Sequence, residues 1–223
     1  MSRNDLLCQA CLDDLPPTPE AHCPQCSERT TFGEYCGACL RHPPHFSRTI
    51  ALYRYEFPVD RLIQQLKYSH QLAIARWSGH ALAARLAPGT IDLILPVPLH
   101  QERLRQRGFN QSGEIAKALG RRLGLPVSLD LLMRREATAP QAMLPHDTRQ
   151  ENVRGVFECR GDLSGQRLLL VDDVMTTGAT LRECSRVLHL HGAASIEVGV
   201  VARALRGTTP GPHASYGALP HNR

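Results

Sequence analysis

The segment from Leu168 to Leu181 combines residue types that suit the binding of a phosphorylated sugar. Four apolar residues, 168–171, predict a buried strand, and Asp172 and Asp173 stand where we expect that strand to end. A turn of threonines and glycine follows and leads into an amphipathic run that predicts a helix. In an open parallel sheet, ligands bind beyond the carboxyl ends of the strands, and a helix N-terminus attracts phosphate. The segment therefore offers carboxylates for ribose hydroxyls or a magnesium ion, and N–H groups for a phosphate.

The turn after the two acids has the composition of a phosphate-binding loop. Gly178 lets the backbone approach a ligand and adopt positive φ, and the threonine hydroxyls add donors to the backbone N–H groups. An ordinary strand-to-helix turn with a capping aspartate is the alternative, but that turn needs only one acid. The residues predicted to bind are Asp172, Asp173, Thr176, Thr177, Gly178, Ala179 and Thr180.

This segment resembles the 5-phosphoribosyl 1-diphosphate (PRPP) signature of type I phosphoribosyltransferases. The resemblance implies that Asp172 and Asp173 hold the ribose 2- and 3-hydroxyls and that Thr176 to Thr180 wrap the 5-phosphate. Relatives of the hypoxanthine–guanine type place an acid where Thr176 stands, whereas this chain looks more like the orotate type. The resemblance therefore argues against a hypoxanthine–guanine substrate, and it does not name the acceptor.

Six of the eight cysteines fall near the N-terminus as three C-x-x-C pairs. This spacing is typical of structural zinc sites, because two thiolates in one tight turn reach the same ion. A segment so short and so rich in proline cannot build a hydrophobic core of its own, so we expect metal to fold it. Disulfides and a redox C-x-x-C are the alternatives, and three redox motifs in tandem are improbable. The predicted ligands are Cys8, Cys11, Cys23, Cys26, Cys36 and Cys39.

Three pairs do not divide evenly into four-thiolate sites. One zinc takes two pairs, and the remaining pair needs further ligands. His22, His42 or His45 would complete a second site, or else one more C-x-x-C pair precedes the first one here. About one zinc per chain would indicate a single four-thiolate site, and about two would indicate histidine ligands.

Composition limits the class of protein. The chain has 223 residues, of which 42% are hydrophobic and 5% aromatic, so we expect one domain with an aliphatic core and a small appendage. No apolar run approaches the roughly 18 residues of a membrane span, and the first residues lack a signal-peptide pattern. We therefore expect a cytoplasmic protein with no membrane insertion. The net charge of +5 suits anionic ligands but does not by itself indicate nucleic acid.

Strand and helix patterns alternate from about residue 50, which predicts an α/β fold with a mainly parallel sheet flanked by helices. Strands are predicted at 50–55, 91–97, 127–133, 168–171 and 195–202, and helices at 59–68, 72–86, 112–123 and 178–191, while 156–159 is short and apolar. We divide the chain into a zinc-ribbon module (1–45), a phosphoribosyltransferase-like domain (46–205) and a tail (206–223). Glycine, proline, histidine and serine dominate the tail, which we expect to be disordered.

Four further stretches resemble the ComF family of phosphoribosyltransferase-like competence proteins. They are CGACLRHPPHF at 36–46, LIQQLKY at 62–68, PVPLHQERLRQRGFNQS at 96–112 and RREATAPQAMLPHDTRQENVRGVF at 134–157. The zinc module of that family usually begins with one more C-x-x-C pair than this chain has. With the PRPP signature, the resemblance covers residues 8–205.

The ComF resemblance adds a diphosphate side to the predicted site. It implies that the loop from Pro98 and Leu99 to Arg107 faces the diphosphate, with Arg103 and Arg107 as charge partners and Lys67 nearby. The alternatives are a solvated face at a helix start for the arginines and a favourable cation at a helix C-terminus for Lys67. The resemblance also implies that the stretch at 134–157 is a flexible loop. Its residues form either a lid over the ligand or an exposed loop. These are Arg134, Arg135, Thr138, Gln141, Arg149 and Asn152.

The resemblance implies a transferase that uses magnesium, with structural zinc. Its catalytic residues would be Asp172, Asp173, Arg103 and Arg107, and the reaction would displace diphosphate from C1 of PRPP. We place this activity in DNA uptake during natural transformation or in nucleotide metabolism. The alternative is a protein that binds PRPP or a nucleotide without turnover. Such a protein would act as a sensor or as an adaptor for single-stranded DNA or for competence and repair proteins.

Overall fold

A computed structural model describes residues 6–135 and 155–207 of the chain. The helices are α1 (Gln9–Asp13), α2 (Gly37–Arg41), α3 (Val59–Tyr68), α4 (Leu72–Ala83), α5 (Gln101–Arg107), α6 (Gln111–Leu123) and α7 (Ala179–Leu190). The strands are β1 (Arg48–Arg54), β2 (Leu93–Pro96), β3 (Leu132–Arg134), β4 (Phe157–Cys159), β5 (Arg167–Met175) and β6 (Ser195–Arg203).

The central sheet is parallel throughout. Its strand order is β1-β6-β5-β2, and each neighbouring pair runs in the same direction. A separate antiparallel pair, β3 and β4, packs beside α7. The prediction of an α/β fold with a mainly parallel sheet and flanking helices is therefore confirmed. Because the strands are parallel, all four carboxyl ends meet at one edge of the sheet.

Two hydrophobic layers cover the two faces of the sheet, and β5 contributes to both. We call the cysteine-rich segment up to residue 45 the cysteine module. Leu168 and Leu170 lie in the layer that contains the apolar side of α7 and part of this module. Leu169 and Val171 lie in the layer formed with α3, α4 and α6. All four side chains have 0% exposure, so the alternation along β5 fixes the register of the strand on both faces.

Close packing against α4 and an N-terminal cap position α6. A Cβ at Gly79 of α4 would lie 2.8 Å from the Cβ of Ala118 and 2.8 Å from the carbonyl oxygen of Ile115. The two helix backbones therefore approach closely at a position that requires glycine. Asn110 precedes α6, and its side chain accepts a hydrogen bond from the Ser112 N–H at 3.0 Å. This cap starts α6 next to the carboxyl edge of the sheet.

Three elements differ from the sequence-based expectation. β5 continues through both acids to Met175, because 172–175 keep pairing with β6. Residues 101–107, expected as a loop, form α5, since the His100 ring accepts a hydrogen bond from the Glu102 N–H and Gly108 ends the helix at φ +77°. Of the strand expected at 127–133, only the end pairs within β3, and Val127 makes a single bridge to β2.

Part of the predicted flexible loop (136–154) and most of the predicted tail (208–223) lie outside the described residues. Within 6–135 and 155–207, the helices are too short or too polar to span a bilayer.

Candidate functional site

The turn between β5 and α7 exposes two threonine side chains beside the helix N-terminus. Gly178 has φ +77°, and a Cβ there would lie 2.6 Å from Met175 Cε. Thr176 and Thr177 are exposed, and Thr177 Oγ1 accepts a hydrogen bond from the Ala179 N–H at 3.3 Å. Because the first N–H groups of a helix lack intrahelical partners, α7 presents donors beside these hydroxyls. We call 176–180 the phosphate loop.

Asp172 lies at the carboxyl edge with one oxygen already engaged. Its Oδ1 accepts hydrogen bonds from Ser112 Oγ at 2.8 Å and from the Asp173 N–H at 2.9 Å. Desolvation by the surrounding protein, followed by the negative charge of Asp173, raises the pKa of Asp172 to about 7. A carboxylic acid that titrates near neutrality is a candidate functional group, because a bound cation or hydrogen-bond donor then favours its charged form.

Asp173 forms a buried ion pair with Lys67 of α3. The Lys67 Nζ lies 2.9 Å from Asp173 Oδ2, with side-chain exposures of 21% and 6%. Burial acts to lower the pKa of Lys67, but the charge and the hydrogen bond of Asp173, together with the charge of Asp172, outweigh it, so the pKa of Lys67 is raised and the ammonium stays charged. Lys67 is therefore more than a cation at a helix C-terminus, because it contacts one of the two predicted ribose-binding acids.

A basic cavity of about 320 Å³ opens next to Lys67. Its lining brings Lys67 together with Arg103 and Arg107 of α5. The Arg107 guanidinium lies over the Tyr68 ring, 5.3 Å from the ring centroid, which orients it towards α3. We call this the basic cavity, and three predicted diphosphate-side residues meet there.

Arg134, at the end of β3, lies close enough to Arg103 for their charges to interact. Burial, followed by the positive charge of Arg103, lowers the pKa of Arg134. Its Nε is buried and has no hydrogen-bond partner among the described residues. Because Arg134 and Arg103 repel each other in the free protein, an anion bound between them would relieve that repulsion.

Pro98 and Leu99 occupy the short extended segment between β2 and α5. This segment borders β5, because the Val97 N–H donates to the Val171 carbonyl at 2.8 Å. Asn110 holds the same end of the segment, with Nδ2 donating to the Val97 carbonyl at 3.0 Å. The structure thus places both predicted residues beside the strand that carries the acids.

Four cysteines form one compact cluster. The Sγ atoms of Cys23, Cys26, Cys36 and Cys39 all lie within 4.8 Å of one another. The Cys26 and Cys36 sulfurs are 3.5 Å apart, too far for a disulfide and close to the separation of about 3.8 Å that tetrahedral zinc imposes. Arg182 of α7 donates to Cys39 Sγ at 3.4 Å, which suits a thiolate. The arrangement is compatible with zinc.

The first C-x-x-C pair lies apart from this four-cysteine cluster. Cys8 and Cys11 are exposed, and their segment packs through neighbouring leucines against the layer of α3, α4 and α6, whereas the cluster joins the opposite layer. His22, His42 and His45 do not complete a second group, because the one cluster of three or more metal-binding side chains among the described residues is the four-cysteine cluster. Metal binding by Cys8 and Cys11 remains a prediction.

Sequence reasoning did not identify Ser112, Glu28 and Arg203. Ser112 is 1% exposed and positions Asp172, although 60 residues separate them in the chain. Glu28 and Arg203 form a buried ion pair of 2.8 Å between the cysteine module and the end of β6. A buried charged residue at a strand end is a weak sequence signal, and neither partner indicates the other.

Comparison with known proteins finds a matching family model, similar proteins and similar solved structures. Residues 107–215 match the family described as Phosphoribosyl transferase domain. The DNA utilization protein YhgH of Escherichia coli O157:H7 is 34% identical over 207 residues, covering 89% of this chain and 91% of that protein. Competence protein F of Haemophilus influenzae is 33% identical over 209 residues, covering 89% and 90%. A solved glutamine PRPP amidotransferase from B. subtilis is 23% identical, covers 56% of this chain and 26% of that chain, and has a TM-score of 0.41.

Proposed function

Because the chain belongs to the family of DNA utilization protein YhgH and competence protein F, we propose that it binds PRPP with magnesium and transfers the phosphoribosyl group with release of diphosphate. One observation carries the proposal. The adjacent acids Asp172 and Asp173 adjoin the phosphate loop along the chain and, through Lys67, the basic cavity. This arrangement offers partners for the three charged or polar parts of PRPP.

Each part of the site has a proposed partner on PRPP. Asp172 and Asp173 accept hydrogen bonds from the ribose hydroxyls, and the phosphate loop binds the 5-phosphate. Lys67, Arg103 and Arg107 neutralise the diphosphate. Carboxylate oxygens are the hard donors that magnesium prefers, so the two acids fit that ion. Magnesium held there would offset part of the negative charge on the leaving group.

The proposed reaction is a displacement at C1 of the ribose. The lone pair of an acceptor forms a bond to C1 while the bond from C1 to the diphosphate oxygen breaks, and that electron pair leaves with diphosphate. Positive charge develops on the ribose ring and negative charge on the leaving group. The side chains therefore act by positioning the substrate and stabilising charge, with the acids facing the ring and the cations facing the diphosphate.

The four-cysteine cluster is proposed to hold one structural zinc. The four thiols can supply a complete tetrahedron. Zinc would fix the cysteine module against the sheet and take no part in the transfer.

Affinity for magnesium PRPP is expected to rise with pH up to about 7 and then to level off. The pKa of Asp172 is raised to about 7, so below this pH the ligand must displace a proton, at a cost of up to about tenfold per pH unit. For folding, the raised pKa means that the contribution of Asp172 to stability is fully present below its unfolded pKa near 4 and is lost as pH rises to about 7. Calorimetry in two buffers of different ionisation enthalpy measures the affinity and the protons released.

Asp172→Asn supplies the control, because it removes the titrating group while keeping the shape. The variant should keep only the pH dependence of the PRPP phosphates themselves. The same pH slope in both proteins would contradict the assignment to Asp172.

Replacing both Arg103 and Arg107 by glutamine is expected to weaken PRPP binding about 10- to 100-fold, because charge-assisted contacts to the diphosphate are lost. Binding of ribose 5-phosphate, which lacks the diphosphate, should change less than about threefold. Arg105→Gln on the same helix is the matched control, since Arg105 does not line the basic cavity. An equal loss for the two ligands would contradict a diphosphate role for these arginines.

Release of diphosphate from PRPP in the presence of a panel of bases and other nucleophiles tests turnover directly. The chain carries Thr176 where hypoxanthine–guanine enzymes are expected to have an acid, so other acceptors should be favoured. PRPP binding without diphosphate release for any acceptor would favour the second candidate function.

The second candidate is a sensor or DNA-associated adaptor that binds PRPP without turnover. The exposure of Phe32 (90%) and Tyr35 (49%) on the cysteine module favours it, because exposed aromatic rings stack on unpaired bases. The names of the two relatives refer to DNA utilization and competence, which supports a role in DNA uptake for either function, with nucleotide metabolism as the alternative. Salt-dependent binding of single-stranded DNA that is lost in Phe32→Ala and kept in Asp172→Asn would support the adaptor.

A further inference from the structure

One buried arginine contacts both the four-cysteine cluster and the phosphate loop. Arg203, at the end of β6, is 3% exposed. Its Nε donates to the Cys26 carbonyl at 2.9 Å, and its Nη1 donates to the Met175 carbonyl at 3.0 Å and to that of Thr176. Its Nη2 donates to Glu28 Oε2 at 2.8 Å. We call the pairs Cys23/Cys26 and Cys36/Cys39 the first and second knuckles of the cluster. A single guanidinium therefore fixes the backbone of the first knuckle relative to the backbone where the phosphate loop begins.

Glu28 holds this arginine in place from within the cysteine module. It follows Cys26 by two residues and is 9% exposed. While Oε2 accepts from Arg203, Oε1 accepts from the Arg206 N–H at 3.0 Å. Loss of either charge would leave the other buried without its partner, so the pair has one favoured arrangement.

The far side of the phosphate loop is tied to the second knuckle. Arg182, in the first turns of α7, donates to Cys39 Sγ at 3.4 Å and to the His42 carbonyl. Cys26 belongs to the first knuckle of the cluster and Cys39 to the second. The two ends of the phosphate loop are thus linked to different knuckles, and the positions of those knuckles relative to each other depend on what holds the four sulfurs together.

We propose that Arg203, Glu28 and Arg182 are positioning residues that couple metal occupancy of the four-cysteine cluster to the shape of the phosphate loop, so that zinc and PRPP bind cooperatively. This inference rests on the proposed function. A bound zinc fixes both knuckles, and the arginines then hold the loop in the form that accepts the 5-phosphate. Because such coupling is reciprocal, PRPP stabilises the zinc that the cluster holds, although no cysteine touches the ligand.

The rate of zinc transfer from the loaded protein to a chromogenic chelator tests this coupling. Saturating magnesium PRPP is expected to slow transfer about 5- to 100-fold in the native protein. In Glu28→Gln that ratio should fall to less than about twofold, because Arg203 loses its ionic partner. Glu197→Gln is the matched control, since Glu197 also pairs with an arginine, Arg48 at 2.9 Å, but near the amino end of β6 rather than at its carboxyl end. It should keep the native ratio.

Arg182→Gln provides a second variant in case Glu28→Gln does not fold, because Arg182 is only partly buried. It should also reduce the ratio while zinc content stays at about one per chain. Native protein that binds PRPP by calorimetry but releases zinc at an unchanged rate would overturn the coupling alone. Native protein that does not bind PRPP at all would overturn the proposed function as well.

Discussion

Asp173→Asn is expected to lower the affinity for magnesium PRPP at least about 100-fold and to abolish measurable diphosphate release. Asp173 is 4% exposed and carries the charge that pairs with Lys67 at 2.9 Å. Asparagine keeps the shape but removes the charge that the ribose hydroxyls and magnesium require. Each charge-assisted hydrogen bond contributes about 1.5–3 kcal/mol, so the loss of two accounts for the expected change. Calorimetry with magnesium measures the affinity, and a diphosphate assay measures turnover.

Asp92→Asn is a matched control for this substitution. Asp92 also pairs with a basic residue, Arg167, at 2.6 Å, but at the amino end of β5 and at the surface. This variant should bind magnesium PRPP as the native protein does. An Asp173→Asn protein that melts cooperatively and binds within about threefold of native affinity would remove the ribose-binding role of the acid.

Cys23→Ser is expected to abolish zinc binding and to lower the melting temperature by more than about 10 °C. Structural zinc in small modules contributes about 10–16 kcal/mol of apparent binding free energy at neutral pH, which is lost when the tetrahedron is incomplete. Cys23 has 0% exposure and packs in the same layer as Phe46 and the sheet, so the damage reaches beyond the cysteine module. Metal analysis and scanning calorimetry measure the two effects.

Cys8→Ser distinguishes the four-cysteine cluster from a six-cysteine site. Cys8 is exposed and lies apart from the cluster, so this variant should retain about one zinc per chain and melt close to the native protein. Loss of zinc in Cys8→Ser as well would show that the first pair shares in the metal site.

The residues of the candidate site could be singled out from the sequence because they lie in short local motifs. α3 begins and ends at Val59 and Tyr68 as expected, since its apolar spacing and its final lysine are local signals. The acids and the phosphate loop occupy one continuous segment, and the alternation of β5 between two layers follows from its four apolar residues.

The long-range contacts that position these residues could not be predicted in the same way. Ser112 meets Asp172 across 60 residues and Arg203 meets Glu28 across 175 residues. Such pairs depend on how α6 packs and on how the cysteine module lies against β6, which no local pattern encodes. The helix at 101–107 was missed because its signals, a histidine cap and a closing glycine, are weak beside a run of exposed polar residues.

The ion pair of Lys67 with Asp173 gives the free protein an internal counter-ion. A buried carboxylate without a partner would strain the fold, and Lys67 removes that cost before any ligand arrives. In the proposed function, a magnesium ion held by the acids would compete with Lys67 for Asp173, and Lys67 would then be available to the diphosphate. Without a ligand, the same pair leaves Asp173 with a cation beside it, so the buried acid is matched in charge in the free protein.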